Sequence, residues 1–126
     1  MAVVGLGLDV CSVERVRKIL EGPRGERFVA RVFTAAEQDL CSRRADAASA
    51  YAARFAAKEA VMKALGVGLG DLAFRDVEVV RAASGAPGLV LSGRTAVLAS
   101  AHDVRRWELS LSHTDTTAIA VALALA

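Results

Sequence analysis

The length of 126 residues fits one domain, spanning residues 1–126, with room for a modest core. Its 54% hydrophobic content is high for a soluble domain, yet the longest charge-free apolar run, Thr116 to Ala126, falls far short of the roughly 20 residues of a membrane-spanning helix. A net charge of +2 makes the whole molecule no strong magnet for polyanions, so neither a nucleic acid nor a membrane is the expected partner.

In chain order, Ala2 to Val10 is apolar and valine- and leucine-rich, broken by Gly5 and Gly7, and reads as a buried strand. It has neither the basic region nor the cleavage site of a signal peptide, so a cytoplasmic location is expected, with Cys11 and Cys41 kept as thiols. Ser12 caps a helix through about Leu20, which Gly22-Pro23 ends. Arg27 to Val32 reads as a short helix or turn. Thr34-Ala35-Ala36-Glu37 has capping-box spacing and starts a helix to about Arg44. Ala47 to Leu65 is the longest helix, rich in alanine, with Gly66 where a left-handed cap belongs. Phe74 to Arg81 alternates as a strand, Ser84 to Gly88 turns, and Leu89 to Leu91 is a short strand. Arg94 to Ala101 reads as a helix. Trp107 to Ser112 and Ala118 to Leu125 close the fold as a strand pair around His113-Thr114-Asp115. Helices early and strands late predict an α+β class, helices packed on a small, mainly antiparallel sheet. The apolar surplus points to surface hidden between subunits.

Several residues stand out chemically. Asp9 ends an apolar strand, where a carboxylate needs a cation, a metal or backbone amides. Glu59 and Lys63 lie on one face of the long helix, either as a plain surface pair or as part of a site; Ala52 and Ala56 on that face leave room for something bulky. Arg54 and Lys58 share an apolar arc, which implies snorkelling stems or an anion held against the helix. Gly66-Val67-Gly68-Leu69-Gly70 follows a helix rather than preceding one, so it is not a nucleotide-binding fingerprint. His113, between two hydroxyls, can donate to a phosphate or purine, or cap a hairpin. Between residues 15 and 31, Arg15, Arg17, Lys18, Arg24, Arg27 and Arg31 face only Glu21 and Glu26, a basic patch suited to an acidic partner or simply a solvated helix face.

Gly5-Leu6-Gly7-Leu8-Asp9-Val10 with Glu14-Arg15-Val16, and Arg54-Phe55-Ala56-Ala57-Lys58-Glu59-Ala60 followed by Lys63-Ala64-Leu65-Gly66, resemble the signatures of holo-acyl-carrier-protein synthases, the small bacterial 4'-phosphopantetheinyl transferases. Phe33-Thr34 with Glu37, Asp76 to Val79, Gly85-x-Pro87 and Leu111-Ser112-His113-Thr114 follow in the matching order, so the resemblance spans nearly the whole chain. It implies the 4'-phosphopantetheinyl transferase fold, a homotrimer with sites between subunits, and a place in fatty acid and lipid biosynthesis. The reaction implied is magnesium-dependent transfer of phosphopantetheine from coenzyme A, a co-substrate, to a serine of an acidic acyl carrier protein; a fatty-acid, polyketide or peptide carrier fits equally. Asp9 and Glu59 resemble the carboxylates that hold Mg2+, and Asp9, Glu59 and Lys63 the catalytic set. Glu59 would take the serine proton, directly or through a water on the metal. Arg54, Lys63, Gly66, Gly85, Pro87, His113 and Thr114 match coenzyme A contacts. Arg15 matches a carrier-docking arginine, with Arg17, Arg24 and Arg27 beside it. The family usually has lysine between the glycine and proline of the late turn, where this chain has Ala86. Two other classes compete: a non-catalytic binding module for an acidic protein or RNA, and a coenzyme A or nucleotide hydrolase using the same metal pair.

Overall fold

The computed structural model describes residues 2–67 and 73–126. β1 (Val3–Ser12) is followed by α1 (Val13–Glu21), α2 (Gly25–Val32), α3 (Ala35–Ser42) and the long α4 (Ala47–Leu65). A single 3-10 turn at Phe74–Asp76 leads to the hairpin β2 (Val77–Arg81) and β3 (Pro87–Leu91); α5 (Gly93–Ala101), β4 (Arg106–His113) and β5 (Thr117–Leu125) complete the chain. β1, β5 and β4 form an antiparallel sheet in that order, and β2–β3 stands apart as its own ribbon. The α+β class with helices on an antiparallel sheet is therefore as expected.

Local chemistry sets the helix boundaries. β1 runs two residues beyond the expected end, up to Ser12, whose hydroxyl then accepts from Arg15 N at 3.1 Å and starts α1. The capping box at Thr34 and Glu37 is present in both directions. α4 has the expected span, and Gly66 closes it at φ +71°. Val67 follows, while the Gly68-Leu69-Gly70 part of the glycine-rich stretch lies outside the described residues.

α4 lies across the inner face of the sheet, chiefly on β1 and β5. The approach is close because both surfaces are stripped of bulk. Ala118, Ala120, Ala122 and Ala124 of β5 are fully buried, as are Ala52, Ala56, Ala57 and Ala60 of α4. A methyl on Gly5 would sit 2.0 Å from the Ala64 carbonyl oxygen, and one on Gly7 1.7 Å from that of Ala60. Ala52 and Ala56 thus make room for the sheet, not for a ligand. The alanines are the core here, so alanine richness accounts for close packing as well as for helix propensity. The opposite face of β1 carries Val4, Leu6, Leu8 and Val10 into solvent, Leu6 at 64% exposure, with Ile119 beside Val10 on β5.

Lys58 neither snorkels nor faces outward. It is fully buried, and its ammonium reaches Glu37 Oε1 at 2.7 Å, the Phe74 carbonyl at 3.1 Å and the Val77 carbonyl. Glu37 also accepts from Thr34 N and Val79 N, each at 2.9 Å. One ion pair thereby ties α3, α4 and the start of β2 together. Lys58 collects the carbonyls of Phe74 and Val77, and between them the chain makes a 3-10 turn, so the strand expected from Phe74 begins only at Val77.

Candidate active site

The register of β1 on α4 decides what meets Asp9. Gly5 lies over Ala64 and Gly7 over Ala60, so strand and helix run in opposite directions at matched rise: two strand residues cover about 6.6 Å and four helix residues about 6 Å. Asp9, on the same strand face as the two glycines, comes to the Glu59–Lys63 edge of α4. Its carboxylate side chain is 10% exposed and accepts from Lys63 Nζ at 3.0 Å; the same ammonium donates to the Leu8 carbonyl at 3.0 Å. Glu59 is pushed up to about 7, first by burial, then by the charge and hydrogen bond of Asp9, against the weaker pull of Lys63 and Arg15. Two carboxyls distant in sequence, Asp9 buried and Glu59 half-buried, thus meet with one lysine. A pair so crowded that one member keeps its proton near neutrality is a donor set that lacks positive charge. The described residues hold no cluster of three or more His, Cys, Asp or Glu groups. Two carboxylates suit a hard cation such as Mg2+, which keeps water and takes further oxygens from a phosphate substrate.

Arg15 links this site to a second feature. It lines an open groove of about 1130 Å³ between α1, α2 and the 3-10 turn, floored by Ile19, Phe28, Phe55 and Phe74. Arg24 and Arg27 stand on its rim, joined by Lys18 and Arg31. Arg17 lies elsewhere: its guanidinium is 3.3 Å from Asp46 Oδ1 and 3.5 Å from Glu14. The basic run alone foretells the rim. The aromatic floor comes from three separate segments, and only Phe28, set between Arg27 and Arg31, carries a signal in the sequence.

The other sequence-marked residues are spread over the loops. Arg54 is buried, 3% exposed, and donates from Nη1 to the Ala50 carbonyl at 3.1 Å. Gly66 caps α4 beside Lys63, both lining a small cleft of about 370 Å³ with Val4 and His102. Gly85 turns the β2–β3 hairpin at φ +88° and Pro87 begins β3. His113 ends β4, exposed, with Nδ1 3.4 Å from the Thr114 carbonyl. Thr114 Oγ1 accepts from Thr116 N and Thr117 N, so it organises the β4–β5 turn. Of these, Gly66 lies beside Lys63, whereas Arg54, Gly85, Pro87, His113 and Thr114 form no hydrogen bond or ion pair with Asp9 or Glu59 among the described residues.

The comparisons with known proteins agree with this architecture. The protein from Myxococcus xanthus called holo-[acyl-carrier-protein] synthase is 51% identical over 98% of this chain and 96% of its own length. The structure of the Neisseria meningitidis holo-[acyl-carrier-protein] synthase superposes with a TM-score of 0.90, at 28% identity, covering 99% of this chain and all of the other. The Helicobacter pylori enzyme of the same name, solved in complex with coenzyme A, gives a TM-score of 0.83 at 30% identity over 95% of this chain and 99% of that one. A sequence model of one family matches residues 5–123, nearly end to end, and by that match the chain belongs to the 4'-phosphopantetheinyl transferase superfamily.

Proposed function

We propose that the protein transfers the 4'-phosphopantetheine arm of coenzyme A to a serine hydroxyl of an apo acyl carrier protein, releasing adenosine 3',5'-bisphosphate. The observation that carries this reading is the meeting of Asp9, Glu59 and Lys63, with Arg15 acting on Glu59 and also lining a basic groove, in a chain about half identical to a holo-[acyl-carrier-protein] synthase.

In the reaction the serine oxygen forms a bond to the phosphorus that bears pantetheine, and the bond from that phosphorus to the bridging anhydride oxygen breaks. Asp9 and Glu59 would hold Mg2+, which when bound offsets the charge of the pyrophosphate. Glu59, ionised when it holds the cation, would accept the serine proton. Lys63, free to swing because its side chain is 58% exposed, leaves Asp9 to meet the departing phosphate. Little covalent chemistry is asked of the protein; position and charge do most of the work.

The groove supports the carrier assignment. A cationic rim around an apolar floor fits an acidic helix that presents one or two apolar side chains, with Arg15, Arg24 and Arg27 steering it and Arg15 nearest the carboxyl pair. The apolar strip of Val4, Leu6, Leu8 and Val10 supports contact between copies, as in the homotrimer that the resemblance implies, and neighbouring copies would bring Arg54, Gly85, Pro87, His113 and Thr114 to the nucleotide. Intact-mass measurement of an apo carrier incubated with the protein, coenzyme A and Mg2+ tests the reading. A gain of one phosphopantetheine, lost with EDTA, is expected; an unchanged carrier mass, or phosphopantetheine released without a carrier, would overturn it.

A further inference from the structure

The buried ammonium of Lys58 touches both ends of one run of aromatic rings. It lies 5.6 Å from the ring centroid of Phe33 and donates to the carbonyl of Phe74 at 3.1 Å. Between these ends the rings meet edge-on or tilted. Centroids are 5.6 Å apart for Phe33 on Phe28, 5.6 Å for Phe28 on Phe55, and 5.4 Å for Phe55 on Phe74. Phe33 is fully buried, while Phe28, Phe55 and Phe74 are half-buried and floor the open groove beside Arg15. The run thus leads from the ion pair in the core to the surface of the groove.

The four rings come from α2, its C-terminal cap, α4 and the 3-10 turn. Contacts between rings hold their faces together but give little direction along them. The turn that carries Phe74 is only three residues long, a conformation with poor hydrogen-bond geometry of its own. A charged donor on its first carbonyl fixes it in a way that apolar packing does not. Glu37 in turn holds the ammonium at 2.7 Å, and is itself held by Thr34 N and Val79 N.

We propose that Lys58 and Glu37 are positioning residues for the carrier: through Phe74 they set the aromatic floor that receives its apolar side chains. This rests on the transferase reading and deepens it. An apolar pair of the same shape could stabilise the fold as well as a buried ion pair does; what the ion pair adds is a defined position. The pair serves the groove rather than the reacting carboxyls. Lys58 precedes Glu59 by one residue and so leaves α4 about 100° away around the helix axis. The charges that act on Glu59 are those of Asp9, Lys63 and Arg15.

The test is transfer kinetics with the carrier and coenzyme A varied in turn. The proteins are the wild type, Phe74→Ala, Lys58→Met with Glu37→Gln, and all three changes together, each shown by circular dichroism to be folded at the assay temperature. Phe74→Ala and the pair variant should each raise carrier KM about tenfold, with coenzyme A KM and kcat within about twofold of the wild type. All three changes together should do no more than Phe74→Ala alone, because the pair acts through that ring. The rise should persist in added salt, unlike one caused by losing a rim arginine. Equal rises in both KM values, a loss in kcat alone, additive effects of pair and ring, or an unchanged carrier KM in either folded variant would overturn the assignment. If the pair variant does not fold, Lys58→Arg takes its place with the same expected rise, since it keeps the charge beside Glu37 but its longer, planar head moves the donor. Calorimetric titration with an apo carrier whose acceptor serine is replaced by alanine reads the floor without turnover. Wild-type binding that these variants weaken about tenfold supports the assignment even where no transfer occurs, and then only the transferase reading falls. Wild-type transfer with carrier binding unchanged in the variants overturns the assignment alone.

Discussion

Gly7 lies so close under Ala60 that a single added methyl would come within 1.7 Å of the Ala60 carbonyl oxygen. That contact is between backbones, so no rotamer change relieves it. It fixes β1 against α4 and with it the position of Asp9, two residues further on. Gly7→Ala should therefore cost about 3 kcal/mol or more of stability, at the upper end for overpacking, read as a lower urea midpoint. A loss under about 1 kcal/mol would show that strand and helix can slide apart.

The buried Lys58–Glu37 pair makes a different demand. Lys58→Met removes the cation paired with a fully buried carboxylate and frees the carbonyls of Phe74 and Val77. The expected loss is about 3–5 kcal/mol. Adding Glu37→Gln should recover part of it, because the uncompensated charge is gone, although the amide oxygen can still accept from only one of Thr34 N and Val79 N. A double variant no more stable than Lys58→Met alone would contradict this.

Glu59 gives the pH dependence. Its folded-state value of about 7 lies above the ordinary 4.5, so between these values the native chain holds a proton that the unfolded chain has lost. Without metal, this group's contribution to stability is greatest below about pH 4.5, falls as pH rises, and levels off above about 7. A divalent cation needs the ionised form, so its affinity should run the other way, rising with pH to about 7 and then flattening. Calorimetric titration with Mg2+ at a series of pH values checks both the slope and the proton release. An affinity flat from pH 5.5 to 8 would contradict the link between this carboxyl and the metal.

Arg15 faces the groove and acts on Glu59, whereas Arg17 is held by Asp46 and Glu14. Arg15→Glu should raise KM for the carrier by tenfold or more while coenzyme A KM changes little, and the effect should shrink with added salt. Arg17→Glu should change carrier KM less. Steady-state kinetics with each substrate varied in turn separates these outcomes.

Much of the backbone was legible because its signals are local. Alanine propensity with Gly66 defines α4, the Thr34–Glu37 box defines α3, and alternation defines β2. Asp9 stood out because it breaks an apolar strand, while Glu59 and Lys63, readable as a plain surface pair, took on a role only through the resemblance. Lys58 and Glu37 did not stand out, since each had an adequate local explanation: an apolar arc for one, a capping box for the other. Their partnership joins positions far apart in the chain, and Lys58 also holds the 3-10 turn that replaces the first three residues of the strand expected from Phe74. The room left by Ala52 and Ala56 was visible, but what fills it, the glycine and alanine surface of β1 and β5, is a property of packing. The groove's floor escaped for the same reason: Phe28, Phe55 and Phe74 meet only in space.

The most direct measurement is the rate of phosphopantetheine transfer to an apo carrier as a function of Mg2+ concentration, for the wild type and for Asp9→Asn and Glu59→Gln. Both substitutions keep shape and remove charge, and their folds can be checked by circular dichroism. Each variant should lose at least about a hundredfold in kcat/KM, and Asp9→Asn should recover part of its loss only at much higher Mg2+. Folded variants with near-normal rates at the same Mg2+ midpoint as the wild type would mean that these two carboxyls do not hold the metal on which transfer depends.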